Sequence, residues 1–261
     1  MEGHSGKLPA ASVLGVPISL INMQLAVREI VGRAKSRTSA YVCVRDVHGI
    51  MRAQDDPELR RIHEGADIIT PDGMPLVWIC RWKGHSQISR VCGPDLVDEV
   101  CRSSVPLGLR HYFYGGKPGV AERMTAKLIE RYPGLIVAGI DVPPFGALLP
   151  KEDEEYIARI NKARPDIVWV GLSTPKQEYW MRDHVRAVPG TVLIGVGAAF
   201  DFHAGDVRRA PIWMQSSGLE WFFRLLCEPR RLWRRYLVLA PMFVVQVFRN
   251  EVVRLADHLR S

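Results

Sequence analysis

The five cysteines, Cys43, Cys80, Cys92, Cys101 and Cys227, are odd in number and none stands in a C-x-x-C pair. That argues against a disulfide framework or a cysteine zinc site and fits a reducing compartment. No two aspartates stand at i, i+2, so the D-x-D pair that often holds a divalent cation on a diphosphate is missing. No unbroken apolar run reaches the roughly 20 residues of a spanning helix. The longest, 236–248, is interrupted by Pro241 and Gln246; it reads as too short to cross a bilayer and long enough to lie on one. The opening residues MEGHSGKLPAAS carry acid and base but no apolar core, so no secretory signal is expected there. Internal repeats and low-complexity segments are also lacking.

What is present is an ordinary globular composition with a basic bias. Of 261 residues, 47% are hydrophobic and 24% charged, enough apolar material for a packed core. The formal net charge of +7 calls for an anionic partner: nucleic acid, anionic lipid or a phosphate-bearing small molecule.

Short β-branched and aromatic runs at 41–45, 67–70, 111–114, 135–140, 166–170 and 191–196 read as buried strands. Helical spacing occupies 22–35, 94–102, 119–131 and 151–162. This alternation predicts an α/β fold, a mostly parallel sheet with helices on both faces. After residue 217 the strand signal stops, and eight arginines stand against four acids. We expect a catalytic domain over 1–217 and a basic helical appendage over 218–261.

Four predicted strand ends carry candidate chemistry, and ligands of open α/β sheets bind outside such ends. Ile69-Thr70-Pro71-Asp72-Gly73 places a carboxylate where it could take a proton from a hydroxyl, although Pro-Asp-Gly is also an ordinary turn with a helix cap. Tyr114-Gly115-Gly116-Lys117-Pro118-Gly119 joins a strand to a helix, a combination that admits a phosphate to backbone N–H groups or simply makes a glycine turn. Ser173-Thr174-Pro175-Lys176-Gln177-Glu178 offers polar groups for a sugar or diphosphate, or a solvated lysine and a first-turn acid. Gly195-Val196-Gly197-Ala198-Ala199-Phe200-Asp201 begins like a dinucleotide fingerprint and fails at Phe200.

In the tail, Arg224, Arg231 and Arg234 are spaced by seven and three. They share a face if one helix runs through Pro229. Guanidinium forks bind phosphates, and Trp213, Trp221, Trp233 and Tyr236 suit a membrane interface. A nucleic-acid patch competes, but the apolar run directly behind the arginines favours lipid. The same apolar surface would equally suit burial in a homo-oligomer.

Taken in order, ADIITPDGMPLVW, RVCGPDL, YFYGGKPGVAE, STPKQEYW, IGVGAAFDFHAGDVRRAPIW and GLEWFFRLLCEPRRLWRR resemble the signature blocks of the WecG/TagA/CpsF family of glycosyltransferases, over about 14–255. The resemblance implies a Rossmann-like domain with a membrane-docking appendage that completes the active site. It implies an inverting transferase that uses no metal or other cofactor. Such an enzyme moves a hexose, an N-acetylhexosamine or a uronic acid from a UDP-sugar to a polyprenyl-diphosphate-linked glycan at the inner face of the plasma membrane. It also implies Asp72 as catalytic base, with Gln177, Arg224, Arg231 and Arg234 in the catalytic machinery. Substrate-binding positions fall on Asp46, Arg90, Gly115, Gly116, Lys176, Glu178, Gly197 and Asp201; Gly93 and Asp95 complete the arginine's block.

One block departs from the family pattern. Where the family has T-x-N, this chain has Val44-Arg45-Asp46: a hydroxyl is lost, and an amide has become a carboxylate that donates no hydrogen bond when ionised. The choice of donor sugar is the property this affects. Two other classes compete on the residues alone: a soluble nucleotide-binding oxidoreductase using the 195–201 turn, and a non-catalytic module recruited by the basic tail.

Overall fold

The computed structural model describes residues 7–258; the first six residues of the polar N-terminal segment and Arg260 of the tail lie outside the described residues. The chain opens with an antiparallel hairpin, β1 (Ala10–Val13) and β2 (Val16–Ser19), which the periodicity did not reveal. Its strands are only four residues each and too short to show a period. The hairpin lies beside the main sheet, where the Ser19 hydroxyl accepts from the backbone N–H of Ile69 at 3.0 Å.

The main sheet is built from β3 (Ala40–Arg45), β4 (Ile68–Pro71), β5 (Arg110–Gly115), β6 (Ile136–Asp141), β7 (Ile167–Gly171) and β8 (Val192–Gly195). All adjacent pairs are parallel, in the order β4-β3-β8-β7-β5-β6. Helices connect them: α1 (Met23–Lys35) leads into β3, and α2 (Val47–Asp55) and α3 (Pro57–Gly65) join β3 to β4. Next come α4 (Met74–Trp82), α5 (Gly93–Ser104), α6 (Val120–Arg131), α7 (Pro150–Ala163) and α8 (Lys176–His184). After β8 follow the short α9 (Ala199–Ala204) and α10 (Ile212–Ser216). The expected α/β, Rossmann-like architecture is what the chain adopts.

Why the strands are continuous apolar runs is visible in β7. Val168 and Val170 enter one core cluster with Ile50, Leu76 and Leu193. Ile167 and Trp169 enter the other with Ile30, Phe113 and Phe200. Period-two alternation thus feeds helices on both faces, and each fully buried aliphatic side chain contributes about 1.5–3 kcal/mol. Polar caps fix where helices start: the Asn22 side chain accepts from Leu25 N–H, and Asp56 from Glu58 and Leu59.

The tail consists of α11 (Glu220–Cys227), α12 (Pro229–Trp233), a π-helical turn (Arg234–Leu239) and α13 (Ala240–His258). The helix breaks at Glu228, whose backbone is non-helical at φ −133°, ψ 57°, so Arg224 does not share a helix with Arg231 and Arg234. Pro229 accounts for the break, because the residue before a proline is disfavoured in helical geometry. Pro241, by contrast, does not interrupt the tail. It follows the π turn, where the widened ladder already displaces the hydrogen bond that proline cannot make. The helical stretch Pro229–Val253 is therefore continuous, and by length and composition it is long and apolar enough to cross a membrane. That differs from the expectation for the run at 236–248. The helix nevertheless lies along the domain. Phe243 is only 2% exposed in the core, Val247 packs beside that cluster, and Lys83 pairs with Glu251 at 2.6 Å.

Candidate functional site

Because the six strands are parallel, every strand-to-helix turn opens at the same end of the sheet. Asp72 follows β4, Asp46 follows β3, Gly197 follows β8, Ser173–Gln177 follows β7 and Gly115–Gly116 closes β5. The sequence-predicted positions on these turns are thereby brought to one edge.

The Asp72 end is a field of alternating charge. Asp46 caps α2 by accepting from Gly49 N–H at 3.0 Å and is ion-paired with Arg235 of the tail. Burial alone would raise the Asp46 carboxyl. Arg235, His48, the Gly49 N–H and Arg45 outweigh it and hold the group below the usual carboxylate range. Arg90 is ion-paired with Glu220 of α11 and lies 3.5 Å from Asp95. Asp72 lies between these pairs. Burial, reinforced by the charges of Asp46 and Glu220 and opposed by Arg90 and Arg235, pushes its carboxyl up to about 6. A carboxyl that titrates near neutrality and stays partly accessible can exchange a proton with a bound hydroxyl.

The middle of the edge is held by a buried ion pair. Arg45 and Glu178 are bonded to each other with both side chains essentially inaccessible, and Arg45 also donates to the Thr174 hydroxyl at 3.1 Å. Gly49 leaves room for this guanidinium, since a Cβ there would come within 2.8 Å of Arg45 Nη1. Gln177 is buried against Gly195 and beside Gly197, where a Cβ on Gly195 would meet its Nε2 at 3.0 Å. Lys176 points outward, 4.6 Å from the exposed ring of Phe145.

The far part is backbone. Gly115 and Gly171 are paired across β5 and β7, and Gly116 N–H donates to the Gly171 carbonyl at 3.0 Å. Gly115 has φ 116°, and a Cβ on it would sit 2.7 Å from the Gly171 backbone, so only glycine fits. Gly116 packs against Phe200, the residue that breaks the dinucleotide fingerprint and here fills the core. Asp201 follows on the first turn of α9. Arg224 reaches this side of the site, its guanidinium 5.3 Å from the Phe202 ring.

Not all the expected tail arginines come here. Arg231 is exposed and paired with Glu228 at 2.8 Å, and Arg234 is exposed over Trp233. The inward guanidinium is that of Arg235. Sequence spacing missed it because the shared face of Arg224, Arg231 and Arg234 assumed one helix through Pro229, and the break at Glu228 resets the phase. Glu220 and Arg45 were also missed as site residues. Glu220 opens α11 as an ordinary first-turn acid, and its partnership with Arg90 spans 130 residues of sequence. Arg45 offered a signal: a charge at the last position of an otherwise apolar strand must find a buried partner.

Among the described residues no group of three or more histidines, cysteines or acids is placed to hold a metal ion. The family model of the glycosyl transferase WecG/TagA/CpsF family matches residues 11–257, nearly the whole chain.

Proposed function

Since the chain belongs to the WecG/TagA/CpsF family and is thus a glycosyltransferase of cell-surface polysaccharide synthesis, we propose that it moves a hexose, an N-acetylhexosamine or a uronic acid from a UDP-sugar to a polyprenyl-diphosphate-linked glycan, with inversion and without a metal. The observation that carries this reading is the placement of Asp72, a carboxyl raised to about 6, between two arginine–acid pairs at the strand ends.

In this mechanism Asp72 takes the proton of the acceptor hydroxyl as that oxygen bonds to the anomeric carbon from the side opposite the leaving group. The bond from the anomeric carbon to the diphosphate breaks, and its electron pair leaves on the phosphate oxygen. The start of α6 just beyond the Gly115–Gly116 turn and the guanidiniums of Arg224 and Arg235 offset the charge that develops there. Gly197 and Asp201 line the donor's path, while Gln177 and Glu178 are buried behind it, Glu178 acting through Arg45, and Lys176 points outward. Arg90 holds Glu220, and with it the start of the appendage, against the base. Arg231 and Arg234 face outward and serve the anionic lipid surface instead. The domain division at residue 217 and a position on the inner membrane face belong to the same proposal. Trp213, Trp221, Trp233, Leu237 and Phe248 are all exposed, the composition of an interfacial surface.

The test is transfer from UDP-hexoses, UDP-N-acetylhexosamines and UDP-uronic acids, each first screened by thermal shift, since a bound donor must raise the melting temperature. Asp72→Ala should keep the shift and lose transfer. Near-normal turnover by that variant removes Asp72 from the role, and a chain that no UDP compound stabilises removes the donor class.

A further inference from the structure

At the opposite pole of the sheet lies a cavity of about 500 Å³, open to solvent, with room for a small anion. Its walls come from the segments that enter the three central strands β3, β8 and β7. Arg37 precedes β3, Arg164 and Pro165 precede β7, and Arg186 and Thr191 precede β8. β7 spans five residues, roughly 16 Å, so this cavity is separated from the Asp72 edge by the length of the sheet.

Three arginines line it and no acid does. Arg37 is partly neutralised by Asp166 at 2.6 Å, and that carboxylate also accepts from the Arg110 N–H at 2.8 Å. Neither Arg164 nor Arg186 makes a side-chain hydrogen bond or ion pair among the described residues. Three exposed arginines around one cavity, with one carboxylate beside them, leave a local excess of positive charge that a bound anion would relieve.

The backbone points the same way. Arg37 and Arg164 both sit in the left-handed region, at φ 55° and 48°, each just past the end of a helix where glycine is the default residue. A side chain at such a position is unfavourable, and residues held there against preference concentrate at ligand clamps. Only four non-glycine residues adopt positive φ among the described residues; two are arginines, and both line this cavity. Gly190 supplies room for one of them, since a Cβ there would come within 3.1 Å of Arg37 Nε.

We propose that this cavity binds a small phosphate-bearing anion of the diphosphate class, held by the forks of Arg164 and Arg186 with Arg37 behind them. It is distinct from the donor cleft and does not depend on the glycosyltransferase reading. An occupant here would touch the roots of the same central strands whose far ends carry Asp46, Gly197 and Lys176.

The probe is inorganic pyrophosphate titrated calorimetrically into the full chain and into variants of the cavity arginines, without UDP, whose own diphosphate would compete for the same site. A saturable site should appear in the full chain. The double variant Arg164→Gly/Arg186→Ala should weaken it about tenfold or more, the loss of charge-assisted hydrogen bonds. The melting temperature of Arg164→Gly alone should stay level or rise, because glycine suits that backbone, while its pyrophosphate affinity falls. Absence of any saturable pyrophosphate site overturns the proposal, as does unchanged affinity in the double variant. If UDP fails to bind at all, the donor assignment falls separately. The variants still decide the matter here, because they lie at the other pole.

Discussion

The sheet domain and the helical tail are held by different physics. In the domain, helices cover both faces of the sheet, and its central strands are buried along nearly their whole length. In the tail, Leu237, Val245, Phe248 and Val252 are all more than half exposed. It grips the domain at a few points: Glu220 on Arg90, Arg235 on Asp46, Phe243 in the core and Glu251 on Lys83. Two of those points flank Asp72. On the proposed mechanism the tail thus supplies charge beside the base, and its release should change the site before it unfolds the domain.

Removing residues 218–261 breaks this comparison most severely. Transfer should fall by 10³-fold or more while circular dichroism still reports the α/β domain; full activity would show that the tail supplies nothing to the chemistry. Next in size is Arg235→Ala, expected to cost about 10²–10³ in kcat, the usual effect of removing one preorganised donor. Arg231→Ala and Arg234→Ala should cost only a few-fold on soluble acceptor. Equal losses in all three would mean that the inward position of Arg235 has no catalytic meaning.

Within the domain, Arg45→Met should destabilise by about 3–5 kcal/mol, because it strands the buried Glu178. The double variant Arg45→Met/Glu178→Leu should recover most of that in a thermal melt. If the pair also orients the turn that carries Gln177, the recovered protein will keep a raised KM for donor. The smallest effect concerns pH. Asp72 titrates near 6 chiefly through burial and next through Asp46. As the base it must be ionised, so kcat/KM should rise as pH increases through about 6. Asp46→Asn removes a neighbouring negative charge and leaves Arg235 unneutralised, so this limb should move to lower pH. An upward move would contradict the charge order described.

The same contrast explains what could be read without coordinates. The strands stood out because period-two alternation and β-branched runs are local properties, and 41–45 and 166–170 fall within a residue of β3 and β7. The strand-end turns followed from them, since parallel strands put all such turns at one edge; Asp72, Gly115, Gln177 and Gly197 were legible in that way. The tail was less so. Nothing local marks Arg235 over Arg234, because the choice depends on helical phase. The Arg90–Glu220 pair depends on two segments docking that share no periodicity. Arg45 could be seen as an oddity, but only the fold reveals that Glu178 answers it.

The wide turn at Arg234–Leu239 has a consequence for how the two halves of the tail are aligned. Residues eight apart on a regular α-helix are about 80° out of phase, yet Arg235 and Phe243 are both directed at the domain. The extra residue in the turn absorbs part of that rotation. It acts as a phase corrector, letting a polar anchor and an apolar anchor on one rod engage the same wall. Regularising the turn at unchanged length would swing one of the two anchors toward water, whereas deleting one residue along with it would set them seven apart, about 20° out of phase, and keep both on the same wall.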